Sequence, residues 1–447
     1  MSEALDQLLH TTKVKEFAKL FKEYQQQFDD PKDFLQQAAA YLPPRLYEHY
    51  YEDGAPHSLF GLAAAADSLP LFPESRRWWP LVQQAWFAAG ERKRSPLDLG
   101  AFPVQNGGSG EARWRRFEDA VERRDFQQAV GLARGLLENE EDRELFRRCS
   151  LTHAMVDTAQ GALKFLYLAQ VWRLAEILEG QSLDKMLLAP LHFLVMGPRE
   201  SELSEWVEEE WRRKPARRLL ENQGALPEPL YSELEKVLLF GPGRSEAVGT
   251  IHTMADSGVG LEGVVEALSL AGVQSIANSK AGPWIWPMRA FLFSFLSGRF
   301  LDSVEAERRS YVLMLAAALL HRASARSRQG EANRRLNEMD ETLYPRDALN
   351  TLRSVVSHSD PYASATAVHA ILGMGESKKE RLFQSLATLA AKNDGQMGSG
   401  YDLLLVRAAV DAYRRSESGH KDKFLLSCGF FLGRIKKSYA LFGAYGV

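Results

Sequence analysis

Apolar residues recur every three to four positions along almost the whole chain, and no stretch shows sustained alternation. The first spacing gathers side chains on one face of an α-helix, whereas a half-buried strand needs a period of two. A chain patterned this way buries its apolar faces by stacking helix on helix. The sequence therefore predicts an all-α fold: a large multi-helix assembly of packed helical hairpins, with little or no sheet. With 447 residues, 45% of them hydrophobic, such an assembly closes a core without disulfides or structural metals.

Local signals mark individual helices. Leu8, Leu9, Phe17, Leu20 and Phe21 lie at helical spacing. Asp30 is placed to cap the next helix, with Pro31 at its first position. Residues 58–69 read as a buried, alanine-rich helix. Residues 114–139 read as a hairpin that turns at Arg123-Arg124-Asp125, and 304–322 as a further buried helix. No period near 34 residues recurs, which argues against a solenoid. The irregular stretch 95–113, with Gly107-Gly108-Ser109-Gly110, suggests a division into an N-terminal region, 1–105, and a main helical domain, 114–447. A softer boundary is expected near 325–340, and the whole is expected to pack as one unit.

Fifty-five basic and 58 acidic residues give a net charge of −3, which offers no electrostatic footprint for nucleic acid. The longest apolar runs, 312–320 and 424–432, fall short of the ~20 residues that span a bilayer. Cys149 and Cys428 are too few for a disulfide scaffold or a thiolate zinc site. With an N-terminus unlike a signal peptide, they suggest a cytoplasmic protein. Phosphate-loop spacing, a Gly-x-Ser-x-Gly elbow, His-Glu-x-x-His and Cys-x-x-Cys are all absent.

The histidines are the feature that chemistry can use. Of ten, six lie in or beside apolar helices: His57, His153, His192, His252, His358 and His369. His153 is followed by Asp157, and His252 by Asp256, four residues on. That spacing puts each pair on one helix face, where the carboxylate can orient an imidazole whose other nitrogen holds a metal. The bland alternative is a core histidine bonded to a neighbouring carboxylate or carbonyl.

The stretch 123–137, Arg-Arg-Asp-Phe-Gln-Gln-Ala-Val-Gly-Leu-Ala-Arg-Gly-Leu-Leu, followed by 145–168 with His153, resembles the questin-oxidase-like family, in its bacterial, Rieske-associated branch. His57, in Pro56-His57-Ser58-Leu59-Phe60-Gly61-Leu62-Ala63, is similar to that family's first histidine helix. The likeness runs over about 56–320. It implies an all-helical fold, a histidine-bound non-haem iron, and oxidation of a polycyclic or quinone-like substrate with dioxygen. Where the branch carries a further histidine, this chain reads Trp284-Ile285-Trp286-Pro287-Met288-Arg289.

Two expectations follow. In the first, His57, His153, His252 and one of His358 or His369 supply the ligands of an iron-dependent oxidoreductase. Asp157 and Asp256 then stand behind them, and Trp284, Trp286 and residues 291–295 line an apolar pocket. In the second, the chain is a non-catalytic helical scaffold that has lost the metal site. It binds a small apolar molecule, or a protein partner through exposed aromatics at Trp78, Trp79, Trp206, Trp211 and 439–445.

Overall fold

The computed structural model describes residues 2–47, 57–280, 284–327, 347–394, 400–435 and 437–446. Among these the regular structure is helical and contains no strand, as the periodicity requires. The nearest approach to sheet is a single bridge between Gly224 and Val259. No helix among them is long and apolar enough to cross a membrane.

The chain forms two compact units. Unit 1 comprises Met1–Arg199, Ala391–Leu404 and Ser438–Val447; unit 2 comprises Glu200–Ala390 and Leu405–Lys437. The helices used below are, in unit 1, α1 (Val14–Gln25), α2 (Pro31–Tyr41), α3 (His57–Ser68), α4 (Trp79–Gly90), α5 (Gly110–Glu122), α6 (Phe126–Leu136), α7 (Glu140–Val156), α8 (Leu163–Ile177) and α9 (Leu188–Met196). In unit 2 they are α10 (Glu228–Phe240), α11 (Arg244–Asp256), α12 (Leu261–Ala277), α13 (Ile285–Phe300), α14 (Ala306–Ser327), α15 (Ala348–Ser357), α16 (Pro361–Leu372) and α17 (Asp422–Arg434).

Helix starts follow the capping residues in the sequence. Asp30 accepts a hydrogen bond from the Lys32 N–H at 2.8 Å, with Pro31 opening α2. Asp125, Asn139 and Asp360 do the same for α6, α7 and α16, satisfying donors that the helix cannot pair internally.

In unit 1, α3 pairs with α4, α5 with α6, and α8 packs on both α3 and α7. Phe117 of α5 meets Phe146 of α7 edge-on, ring centroids 5.2 Å apart, and both are fully buried. Each such side chain contributes about 1.5–3 kcal/mol by leaving water. In unit 2, α12 packs against α13, α14 and α17, and α16 lies along α17. Gly433 permits that last contact, because a Cβ there would stand 2.6 Å from the Asp360 carbonyl oxygen.

Residues 95–113 lie within unit 1. Gln105 donates to the Gly131 carbonyl at 3.0 Å, and the Arg134 guanidinium donates to the Leu99 carbonyl at 2.8 Å. A Cβ at Gly131 would come within 2.7 Å of the Pro103 carbonyl, so glycine lets the irregular segment lie flat on α6. A stretch without periodicity is thus an ordered strap. The expected softer boundary at 325–340 falls mostly on residues outside those described.

Of the aromatics expected outside, Trp79 is buried and Trp78, Trp206 and Trp211 are half-buried. Trp78 sits against Phe21, Phe28 and Phe34, with centroids 6.2–6.5 Å away. Trp79 is buried against Phe442, and Leu441 and Tyr445 are buried too. In unit 2, Trp211 donates to the Ser310 hydroxyl at 3.0 Å, and the Arg244 guanidinium lies 4.4 Å from the Trp206 ring centroid. Indole rings carry so much apolar area that a polar sequence neighbourhood does not keep them in water. Trp284, at 5.1 Å from Phe431, and Phe291 to Phe295 likewise fill the core of unit 2.

Candidate functional site

The five histidines fall in different places. His57 opens α3 of unit 1, half-buried, its ring 6.1 Å from that of Tyr401. His153 lies in the last turn of α7, also in unit 1. His252 is half-buried on α11 of unit 2, and burial pushes its imidazole below the usual histidine pKa. His358 follows α15 on the surface and bonds its ring Nδ1 to the Ser354 carbonyl of its own helix at 2.8 Å. His369 is half-buried on α16. Among the described residues, no three or more His, Cys, Asp or Glu side chains are grouped so as to hold a metal ion.

The aspartates expected to orient these rings are engaged by cations. Asp256 pairs with Arg218 at 2.9 Å on the surface. Asp157 lies one residue past the end of α7 and takes Lys164 Nζ at 2.6 Å and the Ala159 N–H at 3.0 Å.

Around His153 the structure gathers several titratable groups. Glu118 and Glu122 project from α5, four residues apart on one helix face. The Glu118 carboxylate stands 3.9 Å from His153 Nδ1. Trp114, one turn before it, presents its ring edge-on to the imidazole at 6.4 Å. Lys164 enters from the first turn of α8, its side chain 2% exposed. Arg199, just past α9, holds Glu122 at 3.1 Å.

These surroundings move proton affinities in a consistent way. Burial is the main force holding His153 below the usual histidine value; Lys164 and Arg199 reinforce it, and Glu122 and Asp157 oppose it. Burial also raises the Glu118 carboxyl, helped by Asp119 and Glu122. Lys164 is lowered by burial and held up in part by Asp157. All three shifts favour the uncharged form of the group, and for His153 that means a neutral imidazole at pH 7. Such perturbed groups, clustered, mark candidate sites of proton transfer.

The backbone between α7 and α8 is strained. Gln160, Gly161 and Ala162 have φ of +53°, +73° and +60°, three successive residues in the left-handed region. Only Gly161 enters it freely; for the other two the Cβ crowds the backbone. The turn is held by Gly161 N–H to the Thr158 carbonyl at 3.2 Å and Leu163 N–H to the Ala159 carbonyl at 3.3 Å. Thr158 is fully buried beneath it.

Sequence reasoning found His153 and Asp157 but passed over Glu118 and Lys164. Lys164 had a signal, a single lysine inside the apolar run Leu163 to Ala169 of a helix buried all round. Glu118 had none, because it looks like any solvated glutamate. His192, set aside from the candidates, is 7% exposed between the rings of Phe126 (4.6 Å) and Tyr47 (5.6 Å), and burial lowers it to about 4.

Unit 1 holds a second perturbed pair where α3 meets α4. Glu91 accepts from the Ser58 N–H at 2.9 Å and from the Ser58 hydroxyl, and so caps α3 from 33 residues away. Burial lifts its carboxyl to about 7. Lys93, which donates to the Ala88 and Glu91 carbonyls, is lowered by burial to about 8. Each charge meets the helix end of opposite sign, so this pair has a complete structural explanation.

Compared with protein-family models, curated proteins and solved structures, the chain matches none.

Proposed function

We propose that unit 1 binds a phenolic or quinone-like aromatic molecule beside His153 and exchanges a proton with it. The observation that carries this reading is the half-buried, neutral imidazole at 3.9 Å from Glu118, within the field of Lys164. A neutral imidazole is the form that accepts a proton near pH 7. With Nδ1 turned to Glu118, Nε2 is the nitrogen that takes it, and the carboxylate stabilises the imidazolium that forms. The Lys164 ammonium then favours the phenolate, and the Trp114 ring gives an apolar wall.

The likeness to questin-oxidase-like proteins supports the same substrate class. It also implies iron, and the residues fit that ion poorly. Iron needs roughly three protein ligands. Among the described residues no three or more His, Cys, Asp or Glu side chains are grouped so as to hold it, and Asp157 and Asp256 are taken by cations. A second reading, binding of such a molecule without turnover, is favoured by the closed Lys164–Asp157 pair, which leaves the lysine already matched.

A hydroxynaphthoquinone titrated into the protein tests this, because its phenolate absorbs to the red of the phenol. The expected result is a red-shifted band with the wild type and with His57→Ala, lost in His153→Ala. Equal binding by His153→Ala, with no shift in any form, overturns it. Metal content by mass spectrometry after growth with iron belongs beside it. Near-stoichiometric iron lost in His153→Ala would replace this reading with the iron-dependent one.

A further inference from the structure

We propose that Asp157 and Lys164 are positioning residues for His153: their ion pair closes the left-handed turn between α7 and α8 and fixes one charge of each sign beside the imidazole. This rests on the reading of His153 as proton acceptor and adds how its protonation is controlled.

His153 occupies the last turn of α7, and Asp157 ends that helix. One Asp157 oxygen accepts the Ala159 N–H at 3.0 Å, which begins the turn. The other accepts Lys164 Nζ at 2.6 Å, which belongs to the first turn of α8. A single carboxylate thus ties the exit of one helix to the entrance of the next across three residues at positive φ. Strained backbone of this kind persists where its surroundings over-determine it. The pair supplies that restraint, and it does so with a lysine 2% exposed and an aspartate 15% exposed.

The charges that act on His153 come from every side. Glu118 and Glu122 lie on α5, Lys164 on α8, Arg199 beyond α9, and Asp157 at the end of its own helix. Two carboxylates on α5 and one at Asp157 are set against the cations at Lys164 and Arg199. Removing either member of the pair leaves the other's charge uncompensated next to the ring. The two deletions must therefore act in opposite directions. A salt bridge that held the turn without placing its charges near the ring predicts no such opposition.

The test is a histidine side-chain NMR titration of the full chain, with His153 assigned by its loss in His153→Ala. Lys164→Met is expected to raise the His153 midpoint and Asp157→Asn to lower it. Each shift should be roughly half a pH unit or more, the effect of one unit charge near a partly exposed group. Lys164→Arg, which keeps the charge, should stay near the wild type. Far-UV circular dichroism identifies a variant that has not folded; Asp157→Glu then replaces Asp157→Asn, and an outward displacement of the carboxylate should still move the midpoint. An unmoved midpoint in every folded variant, or movement in the same direction for both deletions, overturns the proposal. Since the titration reads His153 without any ligand, opposed shifts with no phenolate band would keep the positioning role and remove only the proposed substrate.

Discussion

Each unit buries one lysine against one carboxylate, and the two pairs differ in what surrounds them. In unit 2, Lys423 of α17 meets Glu235 of α10 at 2.7 Å. Tyr231 donates to the same carboxylate at 2.6 Å, and Lys423 also reaches the Tyr231 hydroxyl at 3.3 Å and lies 4.8 Å from its ring centroid. Regular helices carry all three residues. In unit 1, Lys164 and Asp157 are as close, at 2.6 Å, yet they flank three residues of left-handed backbone and share their field with His153. Burial and ion pairing are common to both and so cannot by themselves mark function. A half-buried imidazole stands by both pairs, since the His420 ring lies 4.7 Å from that of Tyr231 in unit 2, and the run of left-handed backbone is what distinguishes unit 1.

That contrast can be broken by measurement. The largest effect is expected at Lys423→Met, which leaves Glu235 buried without its cation. Removing one partner of a buried pair costs about 3–5 kcal/mol, read from urea unfolding. Lys423→Met with Glu235→Leu should recover most of that loss, as replacing a whole buried pair by apolar side chains usually does. A small effect of Lys423→Met alone would show that water reaches the unit 2 cluster, and the two pairs would then be alike.

Glu91, in unit 1, is a buried carboxyl held mainly by neutral donors. Burial raises its folded-state pKa to about 7 from 4.5, so the ionised form is the penalised one. Its contribution to stability is complete below the unfolded value and is lost as pH rises through about 7. Glu91→Gln should remove that dependence and leave the protein more stable than the wild type at pH 8, by roughly 1–3 kcal/mol. At pH 5 the two should nearly coincide. Thermal melting at both pH values checks the sign, and a variant less stable at pH 8 would show that Lys93 dominates.

The smallest effect concerns the strained turn. Gln160→Gly should stabilise unit 1 by roughly 0.5 kcal/mol, because glycine relieves the crowded left-handed conformation but gives up more chain entropy. A marked loss instead would mean that the Gln160 side chain, and not the backbone, holds the turn.

Much of the fold was legible in the order of residues. The helical period excluded sheet, Asp30-Pro31 marked a helix start, and Arg123-Arg124-Asp125 marked a turn. These signals are local: a cap or a period acts within one or two turns. The strap 95–113 was less legible because its order comes from glycines 131 and 135, which are far along the chain and read as helix interior. The site was legible in part. His153 stood out as a histidine in an apolar helix, and Asp157 by its spacing. Glu118 arrives through the packing of α5 on α7, which leaves no mark in the sequence.

The order of residues is enough to specify an all-helical chain, its caps and the residues of each apolar face, because those depend on neighbours a few positions apart. Tertiary structure alone decided which histidine has chemical company, because proton affinity is set by burial and by charges brought from other helices. It also decided that Asp157 serves Lys164 and the α7–α8 turn: a carboxylate past the end of its helix binds the cation that packing delivers to it.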